Sequence, residues 1–357
     1  MAIEFGIFDH IELHDGRLAR EVYEERISLL KRAEAGGFYA FHLAEHHGHD
    51  YSVAPSQPVF LSALARETET LKLIPTVVCL PLHYPIRIFE ELAMLDVLSD
   101  GRLEIGVGKG ITPFEHLMFG HAPEEASDRS KDILAMLLRG WETGVISSEG
   151  SQFYDFLEMQ LPFQPIQHPY PPLWTAGNVE SAGRSGHNFI APSPVTAEVR
   201  ARYDELLSES RDQGRNQNPH VSEPRIGPSQ ALVIAATDEE AERIALRAWK
   251  AFSAKNLRAH GIIPPHLQGE HSPELDNPLA KKMMALDPLD ARLIVAGSPD
   301  TVREYYLEQA RLGLANYFIL MTPFGDMSPQ EASYTLEAFI ADVLPAVRET
   351  EAAIARV

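Results

Sequence analysis

The chain has 357 residues, of which 45% are hydrophobic and 23% charged, and its formal net charge is −20. That length admits one large α/β barrel or two ordinary domains, and the composition is that of a globular protein with a sizeable core. The acidic balance argues against nucleic acid and anionic membrane surfaces as partners, since both are bound through basic patches.

Only Cys79 is available as a thiol, so no internal disulfide can form and a reducing compartment fits. The first residues carry Glu4 and Asp9 and lack a basic region followed by an apolar run, so no signal peptide is expected. No apolar stretch approaches the ~20 residues of a membrane span. The expected location is the cytoplasm.

In chain order, Ile3 to Phe8 predicts a short buried strand. Arg17 to Ala35 has helical spacing, with Val22, Ile27, Leu30 and Ala33 on one stripe, and Gly36-Gly37 stops it. Phe38 to Leu43 predicts a second strand, and Pro55 to Thr68 a helix opened by Pro55 and Ser56. Leu71 to Leu80 predicts a third strand, Pro85 to Leu98 a helix, and Arg102 to Val107 a fourth strand. Gly108 to Gly120 reads as a loop, and Asp128 to Gly144 as a helix burying Ile133, Leu137, Leu138 and Trp141. Ser147 to Pro172 is an excursion with at most a short hairpin. Strands follow at Leu173 to Ala176, His187 to Ala191, Gln230 to Ala236 and Asn316 to Met321. The intervening helices are Val179 to Gly186, Thr196 to Gly214, a helix capped by Asp238 and running to about Asn256, and Pro299 to Leu312. Ser328 to Ala353 closes the chain. Leu257 to Asp290 has no clear period and reads as an insertion, either over the site or merely tolerated at the surface.

Strand and helix alternate throughout, which implies right-handed βαβ units and a parallel sheet. The expectation is an α/β fold: a single (β/α)8 TIM barrel over residues 1–357, with insertions at about 145–172 and 257–290.

Chemistry in such a fold collects at the carboxyl ends of the strands. The second strand runs into Leu43-Ala44-Glu45-His46-His47-Gly48-His49-Asp50-Tyr51. His46 there is a candidate general base or proton donor. The histidines also raise the question of a metal, but no C-x-x-C or H-E-x-x-H pattern supports one, so no metal site is expected. Gly106-Val107-Gly108-Lys109-Gly110 is a glycine-rich turn with one charge, Lys109, able to meet a phosphate. It is neither a Walker A loop nor a dinucleotide fingerprint. Ala176-Gly177-Asn178 leads from a strand into a helix, with Asn178 as its cap and Ser181 in its first turn. Free N–H groups and the helix dipole favour an anion there, although an ordinary capped helix has the same pattern. Arg129, at the start of the next helix after the fourth strand, is a further basic candidate.

These pieces occur together in one family. Ala44-Glu45-His46-His47, Leu80-Pro81-Leu82-His83-Tyr84-Pro85-Ile86-Arg87, and the run from Leu95-Asp96 through Ser99, Gly101-Arg102-Leu103 and Ile105 to Gly110 carry the likeness. Phe114-Glu115, Phe119-Gly120, Ala176-Gly177-Asn178, Ala296-Gly297-Ser298-Pro299 and Val343-Leu344-Pro345 extend it over nearly the whole chain. The sequence resembles the bacterial luciferase-like flavin-dependent monooxygenases. The resemblance implies a homodimer and an FMN site at the carboxyl ends of the strands. His46 would lie beside the reactive edge of the flavin. Lys109 stands where an arginine commonly meets the FMN phosphate, and Arg129, Asn178 and Ser181 match further phosphate contacts, with Ala176 and Gly177 in the turn. Thr76-Val77 stands where the family often has a non-prolyl cis peptide packed on the flavin ring. Phe8, Tyr51 and the 257–290 insertion are candidates for the substrate wall and lid.

The implied chemistry is a monooxygenation. Reduced FMN from a separate flavin reductase reacts with O2 to a C4a-hydroperoxyflavin, which oxygenates a small organic substrate. The luciferases carry a cysteine where this chain has Gly108, so light emission is not expected, and space should open near the ring. Relatives that use the deazaflavin F420 for hydride transfer are the alternative. A non-catalytic flavin-binding protein and a metal-dependent hydrolase are readings from other classes.

Overall fold

The structure, a computed structural model, describes residues 3–14, 16–259 and 286–354. Its strands are β1 (Glu4–Asp9), β2 (Ala40–Leu43), β3 (Lys72–Pro75), β4 (Val78–Cys79), β5 (Ile105–Gly108), β6 (Val145–Ile146), β7 (Met159–Gln160), β8 (Leu173–Ala176), β9 (Asn188–Ala191), β10 (Ile226–Ile234), β11 (Ile294–Gly297) and β12 (Tyr317–Met321). The main sheet is parallel and runs β3-β2-β1-β12-β10-β9-β8-β5-β4. β3 and β4 are consecutive halves of one strand interrupted by Thr76-Val77, whose peptide bond is cis. A bridge between Leu73 and Leu103, with Leu73 N–H donating to Arg102 O (3.0 Å), joins β3 to the approach to β5. The sheet therefore curls into a nearly closed barrel with helices outside, as the alternation of elements predicts.

Side chains fill the barrel. Ala40, Ile74, Trp174, Ile190, Tyr317 and Ile319 form an interior cluster, while a larger apolar layer lies between barrel and helices. The interior leaves little room at the strands that face the largest of these rings. A Cβ on Gly6 would lie 2.1 Å from the Tyr317 hydroxyl, and one on Gly227 only 1.4 Å from the Tyr317 carbonyl oxygen. His42 is fully buried at the centre. Its Nε2 lies 2.8 Å from the Tyr317 hydroxyl and its Nδ1 2.9 Å from Thr76 Oγ1. Thr76 Oγ1 itself donates to Ile74 O (3.1 Å), so it accepts from His42 Nδ1–H and leaves Nε2 to accept from Tyr317. Burial holds the His42 imidazole neutral, its pKa lowered to about 3.

Five local features differ from the sequence expectation. The predicted strand Leu71 to Leu80 is split, and Leu80–Leu82 turns as a 3₁₀ segment. The predicted loop Gly108 to Gly120 contains a helix, Pro113–Met118, with proline in its first turn. β11 was not foreseen; it pairs with the last four residues of β10 (Ala231 opposite Ile294), outside the barrel path. Asp238 does not cap its own helix: Glu240 N–H donates to Thr237 Oγ1 (3.3 Å), and Asp238 instead accepts from Ser298 N–H (2.6 Å) and Thr301 Oγ1–H (3.0 Å), fastening β11. The closing helix is interrupted by a π turn over Phe339–Val343, which absorbs the missing N–H of Pro345.

The excursion after residue 145 carries only the antiparallel pair β6–β7. Most of the 257–290 insertion, residues 260–285, lies outside the described residues. Among the described helices none is long and apolar enough to cross a membrane.

Candidate active site

The carboxyl ends of β1, β2, β4, β5 and β8 open on one rim, and the sequence candidates follow those ends. Their surroundings are unequal.

The stretch after β2 is held by two buried carboxylates. Glu45 Oε1 accepts from His83 Nε2 (2.9 Å) and His47 Nε2 (3.1 Å), and Oε2 accepts from Cys79 N–H (2.9 Å). Burial alone would raise the Glu45 pKa, but the charge on His83 and these donors outweigh it and hold it at about 2. Burial likewise opposes charge on His83, yet the Glu45 carboxylate wins and raises it. One carboxylate thus ties the loop after β2 to β4 and to the turn before helix Pro85–Leu98.

This pair makes stability depend on pH. His83 is raised above its ordinary 6.5, so its contribution is complete below that value and is lost as pH rises through the folded value. Glu45 is lowered from 4.5 to about 2, so its part is complete above 4.5 and is lost as pH falls toward 2. His83→Gln should therefore flatten the decline of the thermal midpoint on the alkaline side of 6.5. Melting curves of parent and variant across that range check this, and equal slopes would count against the pairing.

Glu115 is the second carboxylate. Helix Pro113–Met118 sets it beneath the loop, where Oε1 accepts from His47 N–H (2.8 Å) and lies 3.2 Å from His46 Nδ1. Burial would raise its pKa, but the His46 and His49 imidazoles and the His47 amide hold it well below the usual carboxylate range. His49 Nε2 is 3.8 Å from the same oxygen, beyond hydrogen-bond reach.

His46 also faces an aromatic wall. His10, just past β1, lies parallel to its ring at 5.7 Å, and Tyr51 lies 4.9 Å away. Phe8 meets His10 edge-on at 4.8 Å, and Phe252 meets both His10 (5.4 Å) and Tyr51 (5.6 Å). Of the candidates, Tyr51 therefore packs against His46, while Phe8 reaches this cluster through His10. Tyr51 is fully buried, with its hydroxyl 2.8 Å from His10 Nε2 and accepting from Asn256 Nδ2 (2.5 Å). Behind it, Lys255 reaches back from the same helix, Asp238–Ala259, to Leu13 O (2.5 Å) and to Glu12 Oε2 (3.6 Å). Burial raises the Glu12 pKa to about 7.

Across the barrel mouth, Gly106 and Gly108 of β5 lie against Thr76-Val77. A Cβ on Gly106 would sit 2.6 Å from Pro75 O, so glycine is required for the two backbones to approach. A Cβ on Gly108 would sit 2.6 Å from Val77 Cγ2. The space expected to open at Gly108 is thus taken up by Val77. Lys109, Ala176, Gly177, Asn178 and Ser181 are all exposed. Asn178 Oδ1 accepts from Ser181 N–H (2.9 Å), so the side chain caps its helix as predicted. β5 and β8 are neighbours, with Gly106 opposite Trp174, so Lys109 and Gly177 leave adjacent strand ends. The Arg129 guanidinium is taken up by Glu125 (2.8 Å) and by the face of Phe153 at 4.4 Å.

Sequence reasoning did not single out Glu115, His10, Lys255 or Asn256 for the site. Thr112-Pro113 could have signalled the short helix that carries Glu115. His10 directly follows β1, at a strand end of the kind that marks His46, whereas nothing local marks Lys255 and Asn256, which arrive through the packing of the distant helix Asp238–Ala259.

The profile of the luciferase-like monooxygenase family matches residues 3–316. An uncharacterized protein, y4wF, from Sinorhizobium fredii is 32% identical over 342 residues, covering 93% of this chain and 94% of that protein. The oxygenase component of the flavin-dependent trigonelline monooxygenase of Acinetobacter baylyi is 29% identical over 200 residues, 55% of this chain and 54% of that one. Among solved structures, the oxygenating constituent of 3,6-diketocamphane monooxygenase from Pseudomonas putida, a type II Baeyer-Villiger monooxygenase in complex with FMN, superposes with a TM-score of 0.71 at 20% identity, covering 97% of this chain and 98% of that one. That last likeness is one of fold.

Proposed function

The chain belongs to the luciferase-like monooxygenase family, and from that premise we propose that it uses reduced FMN, delivered by a separate flavin reductase, and O2 to oxygenate a small organic substrate. The observation that carries this reading is the buried His46–Glu115 pair at the carboxyl rim, 3.2 Å apart, with His10 and Tyr51 against the His46 ring and Phe8 behind His10.

The residues present fit the cofactor. A Cβ on Gly177 would meet no atom within 4 Å, and the cap Asn178 and first-turn Ser181 of the following helix are exposed. Backbone N–H groups there, with Lys109 from the adjacent strand end, suit a phosphate. The glycine-paved β5 beside Thr76-Val77 would take the ring. When bound, reduced FMN supplies the electrons that let O2 yield one oxygen atom to the substrate and one to water. The chain's own part is orientation, exclusion of water and proton handling. Glu115 accepts from His46 Nδ1–H, which fixes the tautomer, and the proposed proton transfer runs through Nε2. The buried wall of Tyr51, His10 and Phe252 excludes water from that side. The relative from Acinetobacter baylyi is itself named an oxygenase component, which supports a separate reductase.

Anaerobic titration with reduced FMN, FMN and F420, followed by O2 uptake across aldehydes, ketones, sulfonates and long-chain substrates, tests the reading. Tight binding of F420 with none of FMN would overturn it. A finer test is Asn178→Asp. Aspartate caps a helix as well as asparagine does, so the thermal midpoint should hold. The added charge should weaken FMN roughly tenfold while leaving riboflavin, which lacks the phosphate, unaffected. Equal losses for both ligands would place the phosphate elsewhere.

A further inference from the structure

We propose that His46, His49 and Glu115 form a binding site for a divalent first-row transition-metal ion, with zinc the best match to the ligand set. The site needs nothing from the flavin reading, because the three donors converge in the protein alone.

One ligand atom from each residue lies within 4.8 Å of the other two. His46 Nδ1 lies 3.2 Å from Glu115 Oε1, and His49 Nε2 lies 3.8 Å from the same oxygen. Around a tetrahedral zinc with bonds of ~2.1 Å, neighbouring ligand atoms stand roughly 3.4 Å apart. Small rotations of the two imidazoles about their side-chain bonds would close the set. Two histidines and one carboxylate, with an open fourth position, are a known kind of zinc ligand set.

His49 supplies an independent observation. Its side chain is only 6% exposed, and yet among the described residues neither ring nitrogen makes a hydrogen bond of ordinary length, Nε2 standing 3.8 Å from Glu115 Oε1. A buried imidazole whose nitrogens make no hydrogen bond costs free energy unless something occupies them. The backbone explains why the ring points inward: Gly48 has a φ of +82°, and the chain reverses there so that His46 and His49 face the same carboxylate. Charge points the same way. Glu115 is buried and ionised, and among the described residues its ion-pair partners are only the two histidines. A dication would neutralise it.

An ion in this site takes His46 Nδ1 in place of its proton. On the proposed function it would therefore act as an inhibitor.

The test uses metal-stripped, flavin-free full-length protein titrated with zinc by calorimetry and equilibrium dialysis. The expected result is one tightly held equivalent in the parent and a loss of affinity on the order of 100-fold in both His49→Ala and His49→Gln. Circular dichroism of the two variants establishes that they are folded, and the glutamine preserves much of the buried volume. Absence of stoichiometric binding in the parent, or unchanged binding in both variants, would overturn the proposal. Because no flavin is present, failure here leaves the oxygenase reading intact. Conversely, an oxygenase reading that fails in the flavin titration leaves the zinc result standing.

Discussion

Replacing His46 with alanine is expected to slow oxygenation by roughly 10²- to 10⁴-fold when free reduced FMN is supplied, the usual range for removal of a positioned acid–base group. The structural basis is the Nδ1 contact to Glu115, 3.2 Å long and buried, which holds the ring in one orientation and tautomer. Reduced FMN should still bind, because the proposed phosphate contacts lie on other strand ends. The loss should therefore appear in the chemical step of single-turnover experiments. Glu115→Gln keeps an acceptor oxygen near Nδ1 but removes the charge, so its effect should be smaller in rate and should shift the pH profile of turnover. A His46→Ala enzyme that oxidised substrate as fast as its parent would remove His46 from the mechanism.

The second large effect concerns the barrel itself. Gly227→Ala should destabilise the protein by more than ~3 kcal/mol, at or beyond the upper end of ordinary overpacking. The added Cβ would fall 1.4 Å from the carbonyl oxygen of Tyr317 and 2.5 Å from its carbonyl carbon. Both are backbone atoms, so no side-chain rotation relieves the clash. Nor can Tyr317 withdraw. It pairs with Glu4 in the sheet, and its hydroxyl is hydrogen-bonded to His42 Nε2 (2.8 Å). The expected readout is little soluble protein at 37 °C and a much lower thermal midpoint in whatever is recovered. A variant that melted with the parent would show that β10 and β12 sit farther apart than they do here.

The barrel was legible because its signals are periodic. Apolar strands alternating with amphipathic helices recur along the chain, and the eight predicted strands coincide with β1, β2, the β3–β4 pair, β5, β8, β9, β10 and β12. β11 escaped because it is a four-residue strand whose partner, the far end of β10, is specified only by tertiary packing. Asp238 looked like a cap because it begins a helix, and only the fold brings Ser298 and Thr301 to its carboxylate. His46 could be found from its place at a strand end, and Asn178 from cap chemistry. Glu115 could not be matched to His46 by spacing, since 69 residues separate them. Arg129 shows the converse. Its position suggested an anion contact, and the side chain spends its charge on Glu125 four residues earlier.

The contact between Val77 and Gly108 constrains how this site can change over generations of substitution. With Val77 Cγ2 only 2.6 Å from the place a Cβ would occupy, a side chain at position 108 is disfavoured until position 77 becomes smaller. The two positions should be epistatic: Gly108→Cys harmful alone, tolerated after Val77→Ala, with a double-mutant cycle showing strong non-additivity. A lineage moving toward the cysteine of the luciferases would thus have to pass through a smaller residue at 77 first.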